Sequence, residues 1–264
     1  MKLRFAQIDA FATRPFEGNP AAVMPLDAWL DDDVLQAIAR ENNLSETAFL
    51  VPDASGAADY ELRWFTPAAE VALCGHATLA SGHFVLTDAP DRDRVTFRTR
   101  QAGMLAVARD GDRYAMELPA WTPHPQPLPE IVAALGVTPV ETLWFETGYA
   151  LVVVADEAAV RAAAPDGRTI SALGPVVHIV AARGETADVV SRVFTHYYDI
   201  PEDPVTGSAH AVLTPYFAAK LGRAAFDAYQ ASARGGHVSC RLDGDRVILG
   251  GGCVTVIEGS FLLG

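Results

Sequence analysis

Two stretches of the chain would be apolar on nearly every face if they were helical. Short stretches in which apolar and polar residues alternate lie before and after each of them. The pattern predicts helices over about residues 68–86 and 206–221. A helix without a polar face is buried on all sides. Short β-branched runs, several of them closed by Asp-Gly turns, predict strands. The predicted strands are 4–11, 48–51, 61–65, 94–99, 104–109, 113–117, 143–145, 151–155, 176–182, 189–195, 238–242 and 247–249.

The order of these features repeats once along the chain. Residues 63–66 read RWFT, and residues 192–195, 129 positions later, read RVFT. The two apolar helices open with CGHA at 74–77 and TGSA at 206–209, an offset of 132. The repeat predicts an α+β fold of two pseudo-symmetric halves, each a β-barrel-like sheet wrapped around a central apolar helix.

Prolines mark the expected junction between the halves. Residues 119–129 hold five of them, and proline resists both helix formation and ladder pairing. We therefore predict an N-terminal barrel domain over residues 1–118 and a C-terminal barrel domain over residues 119–264.

Composition narrows the classes of function. The 33 acidic side chains outnumber the 20 basic ones, giving a formal charge of -13 that disfavours nucleic acid and anionic membranes as partners. The three cysteines are widely spaced, which is typical of reduced thiols, and no metal site is expected. The first residues lack the apolar stretch of a secretory signal, so we expect a cytoplasmic protein.

Candidate catalytic and binding residues lie at the starts of the two predicted apolar helices. A helix N-terminus presents unpaired N–H groups and partial positive charge, so the turns at Gly75 and Gly207 suit a carboxylate. Cys74 and His76 flank the first turn; Asp203, Thr206 and Ser208 flank the second. This arrangement predicts that an acidic protein binds a small anionic metabolite.

Several motifs resemble the phenazine biosynthesis PhzF-like family, in order and over nearly the whole chain. They are FEGNPAAV at 16–23, SETAF at 45–49, RWFTP at 63–67, CGHAT at 74–78 and EDPVTGSA at 202–209. The resemblance implies the fold of diaminopimelate epimerase, with two β-barrel-like halves around central helices. It also implies an isomerase that shifts a proton on a small carboxylate-bearing metabolite, without a cofactor, and a homodimer.

The resemblance further implies which residues act. The expected catalytic residues are Glu46 as the proton-transferring group, His76, Asp203 and Ser208. The expected substrate-binding residues are Asn19, Gly75, Thr206 and Gly207. Related epimerases use two thiols, and Cys74 matches the first, but the second turn has none. Whether Cys74 takes part, and whether the reaction is epimerisation or double-bond migration, stays open.

Other functions fit the sequence less well. A serine hydrolase built on Ser208 lacks the G-x-S-x-G elbow, and Gly250-Gly251-Gly252 is not followed by the helix of a dinucleotide site. The alternative from another class is a catalytically idle member of the same fold that binds a metabolite or a protein.

Overall fold

The computed structural model describes residues 1–264 as a mixed structure rich in strands. The strands are β1 (Lys2–Ala10), β2 (Asn19–Pro25), β3 (Glu46–Pro52), β4 (Tyr60–Phe65), β5 (Glu70–Val71), β6 (Arg94–Thr99), β7 (Met104–Asp110), β8 (Arg113–Pro119), β9 (His124–Pro125), β10 (Glu141–Phe145), β11 (Tyr149–Val153), β12 (Val177–Arg183), β13 (Val189–Thr195), β14 (Ile200–Asp203), β15 (Ala225–Gln230), β16 (Gly236–Asp243), β17 (Arg246–Gly251) and β18 (Cys253–Leu262). The helices are α1 (Asp32–Asn42), α2 (Gly75–Asp88), α3 (Pro129–Leu135), α4 (Glu157–Ala162), α5 (Gly167–Ala172) and α6 (Gly207–Leu221), with a 3₁₀ turn at His196–Tyr198. The predicted α+β class is confirmed.

The chain forms two compact units. The first comprises Met1–Glu117 together with Gly250–Gly264, and the second is Leu118–Leu249. The division after Glu117 lies one residue before the predicted one. The predicted second domain, 119–264, differs at its end because β18 runs antiparallel along the whole of β1, from Lys2 opposite Leu262 to Ala10 opposite Cys253. The last strand therefore completes the first unit.

Within the first unit the strands pair in the order β18-β1-β2-β3-β4-β6-β7-β8. The β2–β3 and β4–β6 pairs are parallel, the other pairs are antiparallel, and β5 adds to β4. The helix α2 packs against β1, β2, β3, β6, β7 and β18. Its side chains are buried almost without exception from Gly75 to Leu86, as its apolar sequence predicts.

The second unit repeats this pairing. Its strands pair in the order β9-β10-β11-β12-β13-β15-β16, with parallel β11–β12 and β13–β15 pairs and the short β14 added to β13. The antiparallel and parallel pairs thus alternate as they do from β1 to β7. The buried helix is α6, which packs against β11 and β16. Each unit is therefore a sheet built around one apolar helix.

An ion pair recurs at matching places in the two units. Arg63 on β4 donates Nε and Nη2 to the two carboxylate oxygens of Glu70, both at 2.8 Å. Arg192 on β13 makes the same two bonds to Glu202 at 2.7 and 2.9 Å. Both guanidinium groups lie 4.9 Å from the ring centroid of the phenylalanine two residues later in the chain. Each pair ties a short strand, β5 or β14, to its neighbour.

The structure differs from the sequence prediction mainly at boundaries. The first apolar helix begins at Gly75 rather than near residue 68, because Glu70 and Val71 pair with β4. The second begins at Gly207, one residue after the predicted start, because Thr206 has the extended backbone of an N-cap. The proline-rich segment contributes the two-residue strand β9, which pairs with β10. None of the helices combines the length and apolar character needed to cross a membrane.

The packing of α2 on β7 yields a prediction at Gly82. A Cβ atom at this position would lie 2.3 Å from Cγ1 and 2.4 Å from Cβ of Val107, on a strand that cannot retreat without breaking its ladder. We expect Gly82→Ala to lower the free energy of unfolding by about 1–3 kcal/mol, against the usual gain of alanine in a helix.

Urea denaturation of purified protein measures this effect. Gly259→Ala is the matched control, because Gly259 is exposed and a Cβ there meets no atom within 4 Å. The control should leave the stability within about 0.5 kcal/mol of the parent. Equal effects of the two substitutions would contradict the close approach of α2 and β7.

Candidate active site

Three elements of the first unit bring polar side chains together. Asn19 is the first residue of β2, Glu46 is the first residue of β3, and the two strands run parallel, with Ala21 opposite Glu46. His76 is the second residue of α2. The strand starts and the helix start therefore place an amide, a carboxyl group and an imidazole next to one another.

The geometry centres on the His76 ring. Its Nε2 lies 3.0 Å from Oε2 of Glu46, and its Nδ1 lies 3.1 Å from the amide nitrogen of Asn19. Ser45 donates its hydroxyl to the amide oxygen of Asn19 at 3.1 Å. His76 and Asn19 are buried, whereas the Glu46 side chain keeps 12% of its surface exposed. Oε2 of Glu46 accepts no hydrogen bond of good geometry despite the nearby ring.

Cys74 joins this group from the residue just before α2. Its Sγ lies 3.5 Å from Nδ1 and 3.9 Å from Nε2 of His76, and its carbonyl accepts the hydroxyl proton of Thr78 at 2.6 Å. The thiol is buried. We call Glu46, Cys74 and His76 the first-unit cluster.

The electrostatics of the cluster follow from burial and the Glu46 charge. Burial, and secondarily the negative charge of Glu46, raises the pKa of the Cys74 thiol to about 11. For His76, burial opposes the charged ring, but the interactions with Cys74 and Glu46 outweigh burial, so the pKa lies well above its usual value. Because the thiol keeps its proton near neutral pH, Glu46 is the partner that stabilises the imidazolium there.

The second unit carries its own polar group at the start of α6. Thr206 precedes the helix, and its hydroxyl donates to Oδ2 of Asp203 at 2.5 Å. Gln230, fully buried on β15, accepts from the Thr206 N–H at 2.9 Å and donates to the Asp203 carbonyl at 2.6 Å. The turn from β14 into α6 is thus fixed by side chains on both sides.

An aromatic group adjoins the same turn. Tyr149 is hydrogen-bonded to Ser208, and burial raises the pKa of its phenol to about 12, with a further contribution from the Tyr198 and Asp203 charges. Trp121 lies 5.2 Å from the Tyr149 ring and stacks on Phe145 at 5.4 Å. Ser208 is partly exposed, so its hydroxyl borders both a buried aromatic surface and solvent.

The predicted site residues fall into two groups by unit. Glu46 and His76 come together with Asn19 and Gly75 in the first unit. The second group, at the start of α6, comprises Asp203, Thr206, Gly207 and Ser208.

Sequence reasoning did not predict every residue of these two polar groups. Ser45 is visible in the sequence because it lies directly before Glu46 in the SETAF motif. The sequence does not decide whether Cys74 takes part. Gln230 and Tyr149 have no local motif, because Gln230 lies 24 residues from Thr206 and Tyr149 lies 59 residues from Ser208 in the sequence.

His210 stabilises the first turn of α6 from inside the unit. It is fully buried, and its Nδ1 donates to the Thr206 carbonyl at 2.8 Å. Burial lowers the pKa of His210 to about 4, although this hydrogen bond favours the charged ring. Burial likewise lowers the pKa of His178, on β12, to about 4. Both rings are therefore neutral in the folded protein near neutral pH.

Comparison with known proteins gives a consistent result over the whole chain. The sequence profile of a family described as phenazine biosynthesis-like protein matches residues 8–259. A protein named uncharacterized isomerase from Pseudomonas aeruginosa is 47% identical over 264 residues, covering 100% of both chains. The human phenazine biosynthesis-like domain-containing protein is 37% identical, covering 98% of this chain and 99% of its own. A phenazine biosynthesis protein of the PhzF family from Enterococcus faecalis superimposes with a TM-score of 0.92 at 42% identity, with 100% of both chains covered.

The two buried histidines predict how stability depends on pH. An unfolded histidine titrates near 6.5, so between about pH 6.5 and 4 the unfolded chain binds protons that folded His178 and His210 do not. Stability is then lost as the pH falls, with each ring contributing up to about 1.4 kcal/mol per pH unit. We expect His210→Gln to reduce the slope of the unfolding free energy against pH between pH 6 and 5 by the contribution of about one proton, which is up to about 1.4 kcal/mol per pH unit.

Urea unfolding at pH 7, 6, 5.5 and 5 gives the slopes. Glutamine can still donate to the Thr206 carbonyl, so the folded variant should persist. His178→Gln provides an independent variant with the same expected change. Slopes equal to that of the parent in both variants would show that these rings are not buried neutral.

Proposed function

Because the chain belongs to the phenazine biosynthesis-like protein family, we propose that it is an isomerase that moves a proton between carbons of a small carboxylate-bearing metabolite. The observation that carries the proposal is the first-unit cluster, in which the Glu46 carboxylate keeps one buried oxygen without a hydrogen bond beside His76. An oxygen of this kind can take a proton and later return it.

The proposed step needs one carboxyl group. Ionised Glu46 removes a proton from a carbon that is acidified by conjugation with the substrate carboxylate, and becomes a carboxylic acid. The electron pair left behind spreads into the substrate π system as an enolate-like anion. The same acid then returns the proton, either to another carbon or to the other face of the first. No electron leaves the substrate, so the step is balanced without an oxidant.

His76 has the supporting role in this proposal. Its charged form, favoured by the Glu46 carboxylate, is a strong hydrogen-bond donor for charge that develops on a substrate oxygen. Asn19 and Ser45 fix the ring from behind. The N–H groups at Gly75 offer partial positive charge to the substrate carboxylate.

Within the second unit, the group at the start of α6 offers polar side chains that suit a small polar metabolite. Asp203 is oriented by the Thr206 hydroxyl, and Ser208 by Tyr149. An oriented carboxylate suits an amine or a hydroxyl, and a serine hydroxyl can donate or accept. The expected homodimer and the class of substrate rest on the family resemblance alone.

Deuterium incorporation tests the proposal. The protein is incubated in D₂O with cyclic amino acids, cyclic hydroxy acids and unsaturated carboxylates, and carbon-bound deuterium is measured by mass spectrometry. For a substrate that exchanges, we expect Glu46→Gln to lower the rate by at least about 10²–10⁴-fold, because the amide cannot accept the proton.

Glu41→Gln is the matched control, since Glu41 is an exposed carboxylate near the end of α1. This control should exchange at the parental rate, and circular dichroism checks that both variants fold. Exchange that survives Glu46→Gln unchanged would overturn the mechanism. Binding of a compound in the panel without exchange, by calorimetry, would instead identify a catalytically idle binding protein.

A further inference from the structure

The first-unit cluster combines three different metal-ligating atoms. A carboxylate oxygen of Glu46, a ring nitrogen of His76 and the sulfur of Cys74 all lie within 4.8 Å of one another. Nε2 of His76 is 3.0 Å from Oε2 of Glu46 and 3.9 Å from Sγ of Cys74. Cys74 and His76 form a Cys-x-His sequence at the start of α2, and Glu46 lies on β3, 28 residues before Cys74.

These distances agree with the size of a tetrahedral zinc site. Zinc binds sulfur at about 2.3 Å and nitrogen or oxygen at about 2.0–2.2 Å, so neighbouring ligand atoms lie about 3.3–3.6 Å apart. The observed separations of 3.0 and 3.9 Å lie on either side of this range. The third separation, between the Glu46 oxygen and the Cys74 sulfur, is within 4.8 Å, so the side chains have to close in for all three atoms to bond one ion.

The surroundings also suit a bound cation. Oε2 of Glu46 is a buried oxygen that accepts no hydrogen bond of good geometry, so a cation there would supply a missing partner. Asn19 lies 3.1 Å from Nδ1 of His76, the ring nitrogen turned away from Glu46. If the amide were turned over, so that its nitrogen faced Ser45 and its oxygen faced the ring, Asn19 would accept the Nδ1 proton and leave Nε2 free for a metal. The partly exposed Glu46 side chain provides the approach from solvent.

We propose that Glu46, Cys74 and His76 bind Zn²⁺ or another thiophilic divalent cation, with a fourth position open to water. This site departs from the expectation of no metal, which rested on the spacing of the candidate ligands along the sequence. On binding, the Cys74 thiol gives its proton to the buffer and its thiolate bonds to the ion, while Glu46 contributes an oxygen and His76 contributes Nε2.

Metal binding and proton transfer then exclude each other. The Glu46 oxygen that would take the substrate proton is the one that bonds to the ion. Zinc is therefore a reversible inhibitor of the isomerase, and this consequence rests on the proposed function. The binding of the ion itself does not depend on that function, so the two can be tested separately.

Cobalt provides a spectroscopic test of the site. The full-length protein is freed of metal with EDTA, dialysed, and titrated with Co²⁺ alone. We expect one equivalent to produce a thiolate-to-cobalt charge-transfer band in the near ultraviolet, and one equivalent of Zn²⁺ to remove it. Cys74→Ser should abolish the band, and Glu46→Gln should weaken Co²⁺ binding at least tenfold.

Cys240→Ser is the matched control. Cys240 is another buried thiol, on β16 in the second unit, and its loss should leave the band unchanged. Thermal unfolding of each metal-free variant checks that it folds. A band absent from the parent protein, or one that persists in Cys74→Ser, would overturn the site.

The second arm measures inhibition. Zn²⁺ should suppress deuterium exchange by the metal-free enzyme, and EDTA should restore it. Exchange unaffected by Zn²⁺ at a concentration that removes the cobalt band would overturn the mutual exclusion. A cobalt band in a protein that exchanges no compound of the panel would leave the metal site in place and contradict the proposed isomerase.

Discussion

The enclosure of a wholly apolar helix is the constraint on which each unit depends. A helix without a polar face must be covered on every side, and in both units a curved set of strands covers it. Backbone groups in the first turn still lack partners within the helix. Polar chemistry is therefore confined to the helix start, where the strand starts of β2 and β3 meet α2 and where β14 turns into α6.

The repeated scaffold carries different chemistry in its two copies. Cys74 and Thr206 occupy the same position before the buried helix, and His76 and Ser208 follow at the same offset of 132. Both units keep the same strand pairing and the same arginine–glutamate ion pair. The fold of a unit therefore does not depend on which residues stand at its helix start. The start of α2 carries a thiol and an imidazole, both of which can titrate, and the start of α6 carries two hydroxyl groups. The first set suits acid–base chemistry and the second suits hydrogen bonding.

Patterns that are local in sequence could be predicted, and contacts that close over long separations could not. The apolar run of α6, the repeat and the motifs carrying Glu46, His76, Asp203 and Ser208 are visible in the sequence. The return of β18 to β1 has no local signal, because pairing partners more than 240 residues apart leave no periodicity. Gln230 is similar: its role in fixing Thr206 depends on β15 lying beside β13, which only the folded sheet determines.

Two partly buried carboxylates differ in their partners, since Glu70 pairs with an arginine and Glu46 with a titratable ring. Glu70 uses both oxygens to accept from Arg63, so its charge is satisfied and its position fixed. Glu46 instead faces a titratable partner: Nε2 of His76 lies 3.0 Å from Oε2 in a contact without good hydrogen-bond geometry, and 12% of the Glu46 side chain is exposed. Under the proposed function, this Glu46 oxygen takes a proton from a substrate carbon, and under the proposed metal site a cation takes the place of that proton.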